Sequence, residues 1–395
     1  MKGVSIVMKI SALHASKRLE EVHFSDIVQV RNKVMALRAA GEPVHGFHGG
    51  EPFFSTPVPI KYAIMQAMVE DKTRYAPSSG IEPLREAIVH KLQTFNRMKV
   101  GPAQVLLTVG GSHALYAAFQ CVLDPGDDVL LFSPYWTPIR ELITGAQGRP
   151  LLVPTVSAIA HGITAALERY STPQTRAIYY NTPQNPNGIV FTRQNAEEVA
   201  AFAKKRDLIV IADEAYEDIV YDGEHFSIAT LPGMAERTIT TYTLSKSFSM
   251  TGLRVGYAIA TDPWMTAMRK IVLYSTNGVS TPTQWGALEA MRLPREALHG
   301  RCEEYRQRRD LLVQALNDVG LECTAPAGAF YVFPKCTRIH RNSRKAAEVL
   351  LDQAHIATIP GVAFGAQGEG HLRFSYSISM QTIESGIVAL KEFLD

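Results

Sequence analysis

Five short apolar runs, each followed at once by a polar or glycine-bearing motif, constrain this 395-residue chain more than any other feature. The runs are Val105-Leu-Leu-Thr108, Val129-Leu-Leu-Phe132, Ala177-Ile-Tyr-Tyr180, Leu208 to Ala212 and Ile239-Thr-Thr-Tyr242, and helical segments separate them. Strands that are apolar on both faces and alternate with helices predict an α/β fold with a mainly parallel sheet flanked by helices. Gly110 and Gly111 follow the first run, Trp136 the second, Asn185 the third, Asp213 the fourth and Lys246 the fifth. Ligands of open α/β sheets sit outside the carboxyl ends of the strands, so these loops, distant in sequence, are expected to converge on one crevice.

Outside the large unit the pattern changes. Ser25 is placed to cap a helix through Ile27, Val30, Val34 and Leu37 that stops at Gly41. From about Arg295 the helical segment Glu303-Glu-Tyr-Arg through Leu316 leads to the β-rich stretch Ala329-Phe-Tyr-Val-Phe333 and a terminal helix near Thr382 to Phe393. The expected organisation is an N-terminal arm and part of a small domain over 1–58, a large domain over 59–294, and a smaller α+β domain over 295–395.

Composition excludes several function classes. Forty basic residues against 38 acidic ones give a net charge of +2, with no basic run to track a phosphate backbone, so nucleic acid is not expected as a partner. The longest apolar runs are strand-sized, which argues against a membrane span. Met1 to Met8 is mildly apolar, but Lys9 interrupts it before a signal-peptide core forms, and a cytoplasmic protein is expected. Cys121, Cys302, Cys323 and Cys336 form no Cys-x-x-Cys or Cys/His pattern, and His45, His48 and His113 have no metal-ligand spacing, so no metal is expected.

The residues after the strands carry chemistry of their own. Asp213 ends an apolar run, where an unpaired carboxylate is costly to bury; it needs a cationic partner, or serves as a helix cap. Gly110-Gly-Ser-His113 opens a helix whose free amides and dipole can take an anion. Lys246 lies in Thr243-Leu-Ser-Lys-Ser-Phe-Ser-Met-Thr-Gly-Leu-Arg254, with Arg254 eight residues on. A Ser-Lys pair alone reads as a solvated surface lysine; the neighbouring motifs overturn that reading.

Taken together, the fragments Gly50-Glu-Pro52, Tyr75-Ala-Pro77, Gly110 to His113, Ser133-Pro-Tyr-Trp136, Asn181-Thr-Pro-Gln-Asn-Pro-Asn-Gly188, Asp213-Glu-Ala-Tyr216, Thr243 to Gly256, Pro360-Gly-Val-Ala-Phe-Gly365 and Arg373-Phe-Ser375 stand in one order. This set resembles the class I/II aminotransferases, the aspartate aminotransferase-like, fold-type I enzymes that use pyridoxal 5'-phosphate. The resemblance implies that Lys246 holds the cofactor as a Schiff base and then moves the proton at the substrate Cα. It implies Asp213 against the pyridine nitrogen, Tyr216 and Asn185 on the phenolic oxygen, and Trp136 on the ring. Gly111, Ser112, His113, Thr243, Ser245 and Arg254 would form the phosphate cup, and Tyr75 would reach the phosphate of a neighbouring subunit, so a homodimer with shared active sites is expected.

Gly50, Trp136, Asn185 and Arg373 are the implied substrate contacts, Arg373 through a bidentate pair with the α-carboxylate. Asn185 also reads as a turn residue, and a lone arginine as a solvated one. Three departures from the family pattern stand out: Asn187 for the usual threonine, Thr243 for Ser or Gly, and Phe53 for Asp after Gly-Glu-Pro. An apolar Phe53 near the entrance, with His48, Thr137 and Tyr331 shaping the pocket, favours a neutral or aromatic amino acid over a dicarboxylate. The implied activity is transfer of an amino group between an L-amino acid and a 2-oxo acid by ping-pong half-reactions. A lyase, decarboxylase or oxidase on the same fold is the alternative, and a cofactor-binding transcriptional regulator a remoter one, since no basic recognition segment precedes Gly50.

Overall fold

A computed structural model describes residues 16–395. The reading of Met1 to Lys9 falls outside them. The expected runs all form strands: β2 Val105–Thr108, β3 Asp128–Ser133, β5 Thr175–Asn181, β6 Ile209–Asp213 and β7 Thr238–Thr243. Two strands that sequence reading did not mark complete a seven-stranded sheet, β4 Arg149–Pro154 at one edge and β8 Gly256–Ile259 between β2 and β7. The order is β2-β8-β7-β6-β5-β3-β4; only β8 runs antiparallel to its neighbours.

Side chains alternate between the two faces as strand geometry requires. Val129, Leu131, Ala177, Tyr179, Ile209 and Ile211 face one helical layer, which includes Gly111–Val122 and Trp264–Thr276. Leu130, Phe132, Ile178, Tyr180, Val210 and Ala212 face the other, which includes Ile163–Tyr170 and Arg193–Lys205. A sheet covered on both faces explains why its strands read as continuous apolar runs.

The N-terminal helix α1 spans Asp26–Ala39, and the Ser25 hydroxyl accepts from Ile27 N–H as the sequence predicts. Its Val34 packs with Leu351 and Ala357. Strand β1, His45–Gly46, pairs in parallel with β10, Ile356–Ala357, so the N-terminal segment lies against the C-terminal elements. There β9, Tyr331–Val332, β11, Ile359–Pro360, and β12, Leu372–Ser375, form a three-stranded antiparallel sheet ordered β11-β12-β9. The long helix Glu296–Asp318 and the terminal helix Met380–Leu394 pack on this core. No helix among the described residues is long and apolar enough to cross a membrane.

Candidate active site

The site forms where the carboxyl ends of the parallel strands reach one level. Asn181 of β5 pairs in register with Asp213 of β6, and Asp213 with Thr241 of β7. Helices α2, Val58–Val69, and α3, Glu82–Thr94, precede the sheet; α4, Gly111–Val122, starts immediately beyond β2. Gly110 caps α4 with φ +78°, a conformation that costs glycine little. A Cβ at Gly110 would lie 2.6 Å from the Arg254 guanidinium. A Cβ at Gly256 would lie 2.6 Å from the Gly110 carbonyl carbon and 2.7 Å from the Gly111 nitrogen. These two glycines therefore let β8, Arg254 and the start of α4 close on one another.

Arg254 is in the left-handed region at φ +53° and donates to the Thr251 carbonyl at 2.9 Å. A guanidinium beside free helical amides can take an anion, since both contribute positive potential. Thr243 Oγ1 accepts from Ser245 N–H at 3.2 Å, capping the short turn Leu244–Ser247 that carries Lys246.

Lys246 Nζ donates to the Gly50 carbonyl at 2.6 Å. Burial, aided by the positive charges of Arg373 and Arg254 and opposed by Glu51 and Asp213, brings its pKa down to about 8. Asp213 moves the other way: burial raises it to about 6 although Tyr179 OH donates to Oδ2 at 2.6 Å and Ala215 N–H to Oδ1 at 3.2 Å. An amine and an acid thus face one cavity, each pulled toward neutrality by burial. Tyr216 OH lies 3.0 Å from Tyr331 OH, and burial pushes its pKa well above the ordinary phenol value. Arg373 donates to Asn185 Oδ1 and to the His48 carbonyl, each at 3.1 Å, and stacks 4.3 Å over the Tyr331 ring; its Nε has no partner among the described residues.

Gly50, Gly111, Ser112, Trp136, Asn185, Asp213, Tyr216, Thr243, Ser245, Lys246, Arg254 and Arg373 line one cavity of about 350 Å³. The His113 side chain does not. Its Nδ1 accepts from Val109 N–H at 3.2 Å, so Nε2 carries the proton toward Ser275 Oγ at 2.9 Å, and the ring is tied to the helix Trp264–Thr276. The side chain of a residue in the first turn of a helix leans back over the preceding loop, which turns it from the crevice. Tyr75 is 92 % exposed and lies outside the cavity of its own chain.

Of the expected pocket-shaping residues, Tyr331 lines the cavity, whereas Phe53, His48 and Thr137 do not. Phe53 lies against Phe54 and the Arg308 guanidinium instead. Sequence reading missed Ile27, Glu51 and Leu115 in the lining and Tyr179 behind Asp213. Two of these left a trace: Glu51 lies within Gly50-Glu-Pro52, and Tyr179 shares a strand face with Asn181, two residues on.

The model of the family "Aminotransferase class I and II" matches residues 46–390. An aspartate/prephenate aminotransferase of Thermus thermophilus is 38% identical over 380 residues, covering 94% of this chain and 96% of the relative. Aromatic-amino-acid aminotransferase 2 of Thermococcus litoralis is 36% identical over 384 residues, covering 96% and 98%. The solved structure of the Thermus thermophilus aspartate aminotransferase with maleate superposes with a TM-score of 0.92 at 36% identity, covering 96% of this chain and 99% of that one. The chain belongs to the class I and II aminotransferases and is an enzyme that transfers amino groups.

Proposed function

We propose that this aminotransferase binds pyridoxal 5'-phosphate in the cavity above the sheet and takes neutral, preferably aromatic, L-amino acids as donors for a 2-oxo acid acceptor. The observation that carries the cofactor reading is the pairing of Lys246 and Asp213. Asp213 is buried with two hydrogen-bond donors and, among the described residues, no contacting cation, an arrangement that a protonated ring nitrogen would complete. The guanidinium and open helix end at Arg254 and Gly111 suit the phosphate, and the indole of Trp136 and the ring of Tyr216 suit a planar aromatic group. When bound, the cofactor supplies an aldehyde that takes up the amino group and a ring that withdraws electrons from the substrate Cα.

The chain's own residues do the rest. A pKa of about 8 leaves part of the Lys246 population as free amine near neutral pH, able to bond the aldehyde and later to carry a proton to and from Cα. Asp213 would hold the ring nitrogen and favour its protonated form. Tyr216 and Asn185 would hold the phenolic oxygen, with Tyr331 fixing the Tyr216 hydroxyl. Arg373 takes the α-carboxylate on donors its protein partners leave free. Two half-reactions in sequence, donor then acceptor, reuse this one set of groups.

The cations of the cavity support the donor class. Among the described residues lining it they are Lys246, Arg254 and Arg373, and each already has a partner to hold. The remaining wall includes Ile27, Leu115 and Trp136, with the Glu51 carboxylate opposing a second negative charge. A donor panel checks this: phenylalanine, tyrosine and leucine outrun aspartate and glutamate in kcat/KM, and the reverse order would refute it.

The dimer reading rests on exposed apolar surface. Tyr62, Met65, Met68 and Val69 of α2 are 57–85 % exposed beside Tyr75, more than isolated surface residues explain. Light scattering should give twice the chain mass; an active monomer would overturn the shared site. The packing of α1 and β1 on the C-terminal elements supports grouping residues 1–58 with 295–395 in the smaller domain. Four cysteines without a bridge suit a reducing cytoplasm.

A further inference from the structure

We infer that Tyr179 is a positioning residue for amino transfer: its buried hydroxyl, 2.6 Å from Asp213 Oδ2, fixes that carboxylate in rotation and holds it charged toward the cofactor ring nitrogen. The inference rests on the cofactor reading above and adds a residue that reading does not require. In the β5–β6 register Tyr179 stands opposite Ile211, and Asp213 opposite Asn181. Tyr179 therefore reaches Asp213 along the diagonal, a span that a tyrosine side chain covers and a short aliphatic one does not. The ring is 1 % exposed and packs against Phe119 of α4 at 6.3 Å between centroids, so the hydroxyl has no solvent to turn toward.

Two donors thus hold the two carboxylate oxygens, Tyr179 OH on Oδ2 and Ala215 N–H on Oδ1. Each oxygen keeps a lone pair for the cavity. The titratable groups facing Asp213 are Tyr179 from β5, Glu214 and Tyr216 from its own loop, and Lys246 from the turn after β7. Helix α4, packed on the same face, carries no acid, lysine or arginine between Gly111 and Val122. Glu214 opposes the charge on Asp213, so the Tyr179 hydroxyl and the Lys246 cation are the side-chain groups that favour it. Burial pushes the Tyr179 phenol well above its ordinary value, so it remains a donor throughout the working pH range.

The neighbouring residue supplies a control. Tyr180 is equally buried, faces the opposite helical layer, and its hydroxyl has no partner among the described residues. Cofactor-stripped wild type, Tyr179→Phe, Tyr180→Phe and Asp213→Asn proteins would be titrated with pyridoxal 5'-phosphate from pH 5 to 8, with the dissociation constant read by quenching of intrinsic fluorescence. Losing one charge-assisted hydrogen bond should raise the Asp213 pKa by roughly one unit. From the wild-type value of about 6, Tyr179→Phe should then bind about fivefold more weakly than wild type at pH 6, approach tenfold at pH 5, and match it at pH 8. Tyr180→Phe should overlay the wild type, and Tyr179→Phe added to Asp213→Asn should change nothing. A Tyr179→Phe profile that overlays wild type, or one weakened equally at every pH, overturns the role of Tyr179 while leaving the cofactor reading intact. Failure of the wild type itself to bind at any pH overturns both.

Discussion

Replacing Arg373 by lysine tests the proposed recognition of the substrate carboxylate while keeping the positive charge. The guanidinium spends one donor on Asn185 and one on the His48 carbonyl, and lies flat over Tyr331 at 4.3 Å and near Phe364 at 5.0 Å. It offers five N–H groups, so donors remain for a bidentate carboxylate. A lysine ammonium keeps the charge but is a point donor without the fork. Losing one charge-assisted hydrogen bond costs roughly 1.5–3 kcal/mol, which is about 10- to 150-fold in kcat/KM. Single-turnover rates with phenylalanine and with 2-phenylethylamine, which lacks the carboxylate, give the readout. Arg373→Lys should lose that factor with the amino acid and leave the amine rate unchanged. Parallel losses with both substrates would refute the carboxylate assignment. In Arg373→Leu the missing charge should also raise the Lys246 pKa, because Arg373 lowers it after burial does.

Three further outcomes follow from the packing and the charges. The rise of Asp213 from 3.8 to about 6 costs about 3 kcal/mol of stability, a penalty absent below pH 4 and complete above pH 6, since the folded state holds the proton more tightly than the unfolded chain. Cofactor-free Asp213→Asn should therefore be more stable than wild type by up to about 3 kcal/mol in urea melts at pH 8 and indistinguishable at pH 4; equal melts at pH 8 would contradict this. Gly256→Ala places a Cβ within 2.7 Å of the Gly110 and Gly111 backbone and the Tyr242 carbonyl, so about 1–3 kcal/mol of overpacking strain should appear in thermal melts, with weakened phosphate binding. Lys91 and Glu217 form a buried ion pair in which burial wins at Lys91, whereas at Glu217 it is outweighed by Lys91, His225 and Asn96. Glu217→Gln should cost roughly 3–5 kcal/mol, and Lys91→Met with Glu217→Leu much less, a difference that chemical denaturation resolves.

The strands were legible because a two-sided buried sheet must be built from continuous apolar runs, and the site because parallel strands deliver their last residues to one edge. Val105–Thr108 was placed to the residue, and the other four to within one or two. Strand β8 escaped notice because Gly256-Tyr-Ala-Ile259 is short and follows the lysine segment without a helix between. Side-chain direction was harder to read than position. His113 is in the right turn but points at Ser275, and Phe53 follows Gly-Glu-Pro52 yet is drawn under Arg308. Tyr179 sat inside an apolar run where a tyrosine reads as core; only the β5–β6 register puts its hydroxyl on Asp213. Ile27 and Leu115 enter the pocket through packing of α1 and α4 that no local pattern encodes.

The most direct measurement is a single-turnover absorbance scan of cofactor-loaded wild type and Lys246→Ala mixed with one equivalent of phenylalanine, with assays for 2-oxo acid and ammonia. The wild type should lose the cofactor's visible band as one equivalent of 2-oxo acid appears without ammonia, a second oxo acid should restore the band, and Lys246→Ala should not turn over repeatedly. Release of ammonia with the band retained, or full turnover by Lys246→Ala, would contradict it.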